Sequence, residues 1–238
     1  MKIEILYPRL CNLYGDSSNV LFLKKTLIDA EFIETKLNEK PKFLDEKIDL
    51  VYIGSTTEKY QELIINDLMK YKNEIKKKID DGQFILATGN SFEIFCNYIE
   101  TENNNIIKCL GIFDCYAKRN LNKRHNSLFL GDFNDIAIVG YKSQFTQTYG
   151  LKNDYFIKVT KGIGINPSEK YEGIHKNNFY GTYLLGPLLV LNPYFTKYLL
   201  KELGYSKSLA FEEDSINAYN ARLKELQDDK TVFGSMHN

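Results

Sequence analysis

The sequence predicts an α/β fold: a doubly wound, mostly parallel sheet flanked by helices, with additional short strands in the second half. Three observations predict it. Ile48–Ile53 and Phe84–Ala87 are nearly all apolar, as strands covered on both faces should be. Amphipathic helical stretches alternate with strands through the first hundred residues. Polar turns follow Tyr7, Ile53 and Ala87, and right-handed crossovers place those three loops at one end of the sheet, the carboxyl end where open α/β sheets bind ligands.

The elements follow in order. Ile3 to Tyr7 reads as the first strand, Asn12–Asn19 as a polar turn, and Val20, Leu23 and Leu27 as one face of a helix reaching Ala30. Phe32–Thr35 is a short second strand and Ile48–Ile53 the third. Tyr60 to Ile79 carries a charged amphipathic helix anchored by Leu63, Ile64, Met69 and Ile75, and Asp81-Gly82 turns the chain into Phe84–Ala87. Beyond residue 106 the pattern changes. Asp114 to Gly131 is polar and basic, Ala137–Tyr141 and Tyr155–Val159 are shorter strands, and Phe179–Leu184 is another. Pro193 opens a helix running to Leu203, Ile216–Leu226 is helical, and Gly234–Asn238 frays. With no repeat or low-complexity linker, residues 1–204 read as one domain and 205–238 as a C-terminal helical extension of it.

Composition bounds the function. In 238 residues, 31 basic and 31 acidic side chains leave no net field for nucleic acid or an anionic membrane. The basic run Lys118 to His125 is too short to change that. Cys11, Cys96, Cys109 and Cys115 show no CxxC spacing, and three scattered histidines (His125, His175, His237) do not suggest a metal site. No segment approaches the ~20 apolar residues of a membrane span, and the opening MKIEILYP lacks the form of a signal peptide. These features read as a soluble cytoplasmic protein with reduced thiols. The 17 tyrosines and 15 phenylalanines serve a core or an aromatic partner-binding surface equally well.

FILATGNSFEIF, Phe84 to Phe95, has the layout of a nucleophile elbow: a buried strand, a tight Gly-Asn-Ser corner and an amphipathic helix start. The residue such a corner would aim into a pocket is Gly89, which has no side chain. Ser91, two residues on, reads as a hydrogen-bonding or helix-starting residue.

Together with YPRLCNLYGDSSNV (Tyr7–Val20), Gly140-Tyr141, Gly164, Glu172-Gly173, Gly181-Thr182-Tyr183-Leu184-Leu185-Gly186-Pro187 and Asn192-Pro193, this stretch resembles the class I glutamine amidotransferases, in their CobB/CobQ-like branch. The likeness runs from about residue 3 to 204. It is strongest to subunits of the GatD type, which work with a Mur-ligase-like (MurT-type) partner in amidating peptidoglycan precursors. The resemblance implies a flavodoxin-like fold. It also implies an elbow cysteine at Gly89 and a histidine at Leu185, so that both catalytic positions are degenerate. A glutamyl thioester needs a thiolate and an imidazole, and glycine and leucine supply neither. The resemblance further assigns Gly54 to the oxyanion loop, here Gly54-Ser55-Thr56-Thr57, whose backbone donors are expected to survive in a narrower cradle. It matches Arg124 to a substrate-carboxylate arginine, against a plain surface arginine. Lys142-Ser143-Gln144 replaces a more acidic, amide-rich stretch, and Glu93 stands where relatives often carry glutamine, either on a helix surface or held near the pocket.

Substitute nucleophiles are few. Cys96 points away from the elbow, and Cys11 sits in the first loop without a histidine at fixed offset. His175 reads as an exposed loop residue, with a place near the same end of the sheet as the alternative. The expected function is a non-catalytic subunit forming a hetero-oligomer with a Mur-ligase-like synthetase, without a cofactor. The alternatives are a binding module for an amino-acid or amide ligand with Arg124, Asn90 and Ser91 as anchors, and a hydrolase with a non-standard nucleophile.

Overall fold

The computed structural model describes residues 1–236, so His237 lies outside it. In chain order the first half contains β1 (Lys2–Leu6), α1 (Ser17–Thr26), β2 (Glu31–Thr35), β3 (Leu50–Ile53), α2 (Glu58–Leu68), α3 (Lys72–Asp80) and β4 (Ile85–Thr88). The second half contains β5 (Tyr98–Glu100), β6 (Ile106–Lys108), β7 (Tyr116–Arg119), β8 (His125–Phe133), β9 (Ile136–Gln144), β10 (Thr146–Tyr149), β11 (Tyr155–Lys161), β12 (Tyr171–Lys176), β13 (Phe179–Thr182), α4 (Leu188–Leu191), α5 (Pro193–Glu202), α6 (Glu212–Gln227) and β14 (Gly234–Met236).

Strands β13, β4, β3, β1 and β2 lie side by side and parallel. Side chains alternate across this sheet, as the period of two requires. Val51, Ile53, Ile85 and Ala87 face a core with α2 and α3 (Ile64, Leu68, Ile75, Ile79). Leu50, Tyr52 and Leu86 face the opposite core with α1 and α5 (Leu23, Leu27, Phe195, Leu199). The chain leaves β1 first toward β2 on one side and then returns to β3 on the other, which puts the topological switch point between β1 and β3.

The second half extends the sheet antiparallel through β12, β11, β8 and β14, with β9 also paired to β8. Strands β10, β7, β5 and β6 form a second, smaller sheet. Several elements differ from the sequence expectation. The polar, basic stretch, for which no strand was expected, holds β7 and most of β8, and β8 pairs with β9 over nine residues across Asn134-Asp135. Both turn residues have positive φ (50° and 63°), as a two-residue hairpin turn requires. Its strand pattern escapes notice because the inward positions of β8 begin with polar His125 and Ser127. The long helix breaks at Met69–Tyr71, where Met69 and Tyr71 pack against the core. The segment after Gly89 is a 3-10 helix, Gly89–Phe95, not an amphipathic α-helix: all of its residues but Asn90 are buried, so it presents no solvent-facing helical stripe. Gly234–Met236 does not fray but pairs with β8. α6 packs Tyr219 and Leu226 on Leu130 and Val139 of the β8–β9 hairpin.

Lys142 on β9 and Glu172 on β12 form a fully buried ion pair at 2.5 Å. The Lys142 ammonium also donates to the carbonyls of Ile163 and Gly164. Glu172 accepts from Thr182 Oγ1 and the Tyr183 N–H, so this pair sets the end of β13. Burial lowers the Lys142 pKa, and the Glu172 charge pulls it back up. Lys142→Met leaves Glu172 charged and buried and should cost about 3–5 kcal/mol in urea unfolding. Adding Glu172→Gln should recover part of that loss.

Candidate functional site

A cleft of ≈ 160 Å³ opens at the carboxyl ends of the parallel strands. The loop after β1 supplies Leu13 and Tyr14, the loop after β3 Ser55, Thr56 and Thr57, and the corner after β4 Gly89 and Asn90. Leu185 comes from the segment after β13, and Arg124 and Ser143–Thr146 come from the antiparallel extension. The three loops expected at one end of the sheet do meet there.

Gly89 has φ +63°, a region that disfavours any side chain. A Cβ built on it would lie 2.3 Å from Ser55 Cβ, 3.1 Å from Ser55 Cα and 3.3 Å from Leu185 Cδ2. The space an elbow side chain would need is therefore filled by Ser55, and Leu185 crowds its far side. Leu185 is buried and pairs with Tyr141 by backbone.

In the Gly54–Thr57 loop the backbone donors of Ser55 and Thr56 are present but engaged. Ser55 N–H donates to Asp16 Oδ2 at 2.7 Å and Thr56 N–H to Asn90 Oδ1 at 3.0 Å. The Ser55 hydroxyl donates to Leu13 O and that of Thr56 to Leu10 O. Gly54 itself does not line the cleft; its α-carbon faces the Cys11 carbonyl. Asn90 lines the cleft, yet its side-chain oxygen braces Thr56 and its carbonyl accepts from Gln61 Nε2. Ser91 is turned away, with its hydroxyl bonded to the carbonyls of Ile53 and Thr88. Arg124 faces the cleft with its guanidinium 4.5 Å above the Phe145 ring.

The thiols and imidazoles lie elsewhere. Among the described residues, no cysteine or histidine lines the cleft. Cys11 is buried, and burial pushes its thiol up to about 12, so the reactive thiolate is scarce. Cys96 is buried beyond the 3-10 helix, its thiol also raised by burial. His175 is not in a loop but on β12, stacked at 4.4 Å on Tyr180 and packed against Phe133 and Phe156. Burial there lowers its pKa. His125 is buried on β8 with Nε2 unpaired.

Behind Asn90 lies a polar network. Glu93 is fully buried, not on a helix surface, and accepts from Gln61 Nε2 at 2.9 Å. Gln61 Oε1 accepts from Arg119, which also pairs with Glu62. Desolvation raises the Glu93 pKa to about 7, against the opposing pulls of Gln61, Tyr183 and Arg119. Within the basic run, Lys118 is paired with Glu100 and Arg119 with Glu62.

The sequence reading passed over Tyr14, Glu58 and Phe145 and named Thr57 only as part of the Gly54–Thr57 loop. Thr57 and Glu58 carried a signal, because Thr57 caps α2 by accepting from Tyr60 N–H and Glu58 is the acid of its first turn. Asp16 was also missed; nothing in a Gly-Asp-Ser turn announces a buried carboxylate.

The family model for the CobB/CobQ-like glutamine amidotransferase domain matches residues 2–192. The protein named lipid II isoglutaminyl synthase (glutamine-hydrolyzing) subunit GatD from Staphylococcus aureus (strain N315) is 31% identical over 212 residues, covering 87% of this chain and 85% of that one. The protein of the same name from Streptococcus pneumoniae (strain ATCC BAA-255 / R6) is 27% identical over 232 residues, 91% of this chain and 87% of its own. A solved glutamine amidotransferase superposes with TM-score 0.56 at 12% identity, over 85% of this chain and 99% of that one. A second, from Thermotoga maritima, gives 0.51 at 10% identity over 93% and 92%. At such identities the two structures speak for the fold alone. Among the described residues no helix is long and apolar enough to cross a membrane.

Two measurements test this geometry. Gly89→Ala should destabilise by about 2–4 kcal/mol, from positive φ and overpacking. In a Ser55→Gly background the closest contact is removed while those to Ser55 Cα and Leu185 remain, so a double-mutant cycle in urea should give a coupling of about 1 kcal/mol or more. Glu93 has a raised folded pKa, about 7 against 4.5, so the folded state holds the proton more tightly than the unfolded state. Its contribution is fully present below pH 4.5 and falls as pH rises toward 7, by roughly 3 kcal/mol. Urea unfolding of the wild type and Glu93→Gln across this range should show the decline in the wild type and a flatter profile in the variant.

Proposed function

This chain belongs to the CobB/CobQ-like glutamine amidotransferase family, and we propose that within it the chain is a non-catalytic subunit. It binds or regulates a Mur-ligase-like (MurT-type), amide-forming synthetase in the amidation of a cell-wall precursor. The observation that carries this reading is the filled corner at Gly89: the volume of an elbow side chain is occupied by Ser55.

Glutamine hydrolysis by this fold's route needs three things at once: a thiolate at the elbow, an imidazole to manage its proton, and free N–H groups for the tetrahedral oxyanion. Gly89 and Leu185 stand at the two side-chain positions in this reading. The N–H groups of Ser55 and Thr56 already serve Asp16 and Asn90. A single lost residue would leave a site one substitution from activity; in this reading both side-chain requirements fail together, and two of the loop's amides are already committed. Meanwhile the surrounding architecture is kept, including Asn192, whose amide bonds both backbone groups of Val139 and the Leu188 carbonyl. A subunit whose remaining task is docking would preserve such a frame. The synthetase would then draw on free ammonia or on another glutaminase.

The test is affinity capture of the chain from its own cells, with mass spectrometry of what accompanies it. A Mur-ligase-like protein should co-purify. The purified chain, alone or with that partner, should release no ammonia from glutamine, and Gly89→Cys alone should not change this because Ser55 still occupies the corner. Glutamine-dependent ammonia release by the wild-type complex overturns the reading.

A further inference from the structure

The proposed function uses none of the four cysteines. Cys11 lies in the loop after β1, whereas the other three gather between the 3-10 helix and the small sheet. Cys96 ends that helix, Cys109 follows β6 and Cys115 precedes β7, and all three are buried. The Cys115 thiol donates to Cys96 Sγ at 2.7 Å, so the two sulfurs are in direct contact. The main chain on either side of both residues builds this contact. The Asn97 N–H donates to the Cys115 carbonyl at 2.8 Å, and the Gly111 N–H to the Cys96 carbonyl at 2.7 Å. The Cys109 N–H donates to the Asn97 carbonyl at 3.0 Å. A buried thiol ordinarily serves as a small apolar residue. Two thiols held sulfur to sulfur can also share a bond. Among the described residues no group of three or more His, Cys, Asp or Glu side chains is arranged to hold a metal ion.

We propose that Cys96 and Cys115 form a reversible redox site, oxidised by a peroxide to an intramolecular disulfide and restored by a thiol reductant. One thiolate attacks the peroxide: an S–O bond forms, the O–O bond breaks, and hydroxide leaves as water after taking a proton. The second sulfur then attacks the sulfenic sulfur, forming the S–S bond and releasing the oxygen as a second water. Two thiols lose two electrons and one hydrogen peroxide becomes two waters. The route in is the β5–β6 hairpin, whose strands are three residues each and whose outer strand lies at the sheet edge with Ile106 exposed. Short edge pairings open locally well below the free energy of global unfolding. The bond closes residues 96–115 into a loop around that hairpin. It also joins the end of the helix bearing Glu93 to the strand bearing Arg119, the two partners that Gln61 bridges. Because Gln61 also holds the Asn90 carbonyl, oxidation clamps the wall behind the cleft. This inference is independent of the non-catalytic reading.

The experiment treats the full purified chain, first reduced and freed of reductant, with hydrogen peroxide under native conditions. Peptide mapping without reduction should find Cys96 linked to Cys115, with the linked peptides lighter by about 2 Da for the two hydrogens lost. Dithiothreitol should reverse the link. A cross-link closing a loop of this length should raise the melting temperature by roughly 5–10 °C over the reduced chain. Cys96→Ala and Cys115→Ala should each abolish both the link and the rise, whereas Cys11→Ala and Cys109→Ala should keep both. If either of the first two variants fails to fold, mapping of the wild type decides alone. No Cys96–Cys115 link, a link that instead engages Cys11, Cys109 or a second copy of the chain, a link that dithiothreitol does not reverse, or an unmoved melting temperature would each overturn the proposal.

Discussion

At the carboxyl end of the sheet, the buried Asp16 carboxylate holds the loops together. One oxygen accepts from the Ser55 N–H after β3 and the Thr88 hydroxyl at the end of β4. The other accepts from Asn19 on α1, and Asn19 in turn accepts from the Leu189 N–H of α4. Tyr52 adds a fourth contact by donating to the Asp16 carbonyl. Burial raises the Asp16 pKa, while its bonds to Thr88, Ser55 and Tyr52 lower it. A carboxylate this deep is tolerated because its oxygens are met by donors.

That knot has a consequence for the neighbouring corner. With the Ser55 N–H held by Asp16 and its hydroxyl by Leu13, Ser55 is fixed with its Cβ against Gly89. The crowding at Gly89 is thus rooted in the hydrogen bonding of a loop distant in sequence. In a close-packed interior, space taken by one side chain cannot be reclaimed by another without moving the backbone. The buried Lys142–Glu172 pair plays the matching part on the other wall, holding the chain before Leu185.

The elements legible in the sequence are those whose burial follows chain periodicity. β3 and β4 stand out because both of their faces are covered, and α5 because Pro193 opens it and its apolar residues recur at helical spacing. β7 and β8 were not legible, since Arg119, His125 and Ser127 are polar residues that the fold buries, and the partners of Arg119, Gln61 and Glu62, lie far along the chain. His175 misled for the same reason: its Glu-Gly-Ile-His setting reads as a loop, but strand pairing and three aromatic rings enclose it. Of the residues proposed for the cleft, Gly89, Leu185, Asn90 and Arg124 converge there, whereas Gly54 and Ser91 point into the surrounding frame.

By itself, the sequence determined the alternation of strand and helix, the end of the sheet where loops gather, and the presence of a glycine at its sharpest corner. These depend on residue type and local spacing, which the chain carries along its length. Only the tertiary structure decided that Ser55 fills that corner, that the Ser55 and Thr56 amides are already engaged, and that Arg124 and Glu58 share a cleft. Each depends on contacts between segments tens of residues apart, and such distances are set by packing rather than by any local pattern.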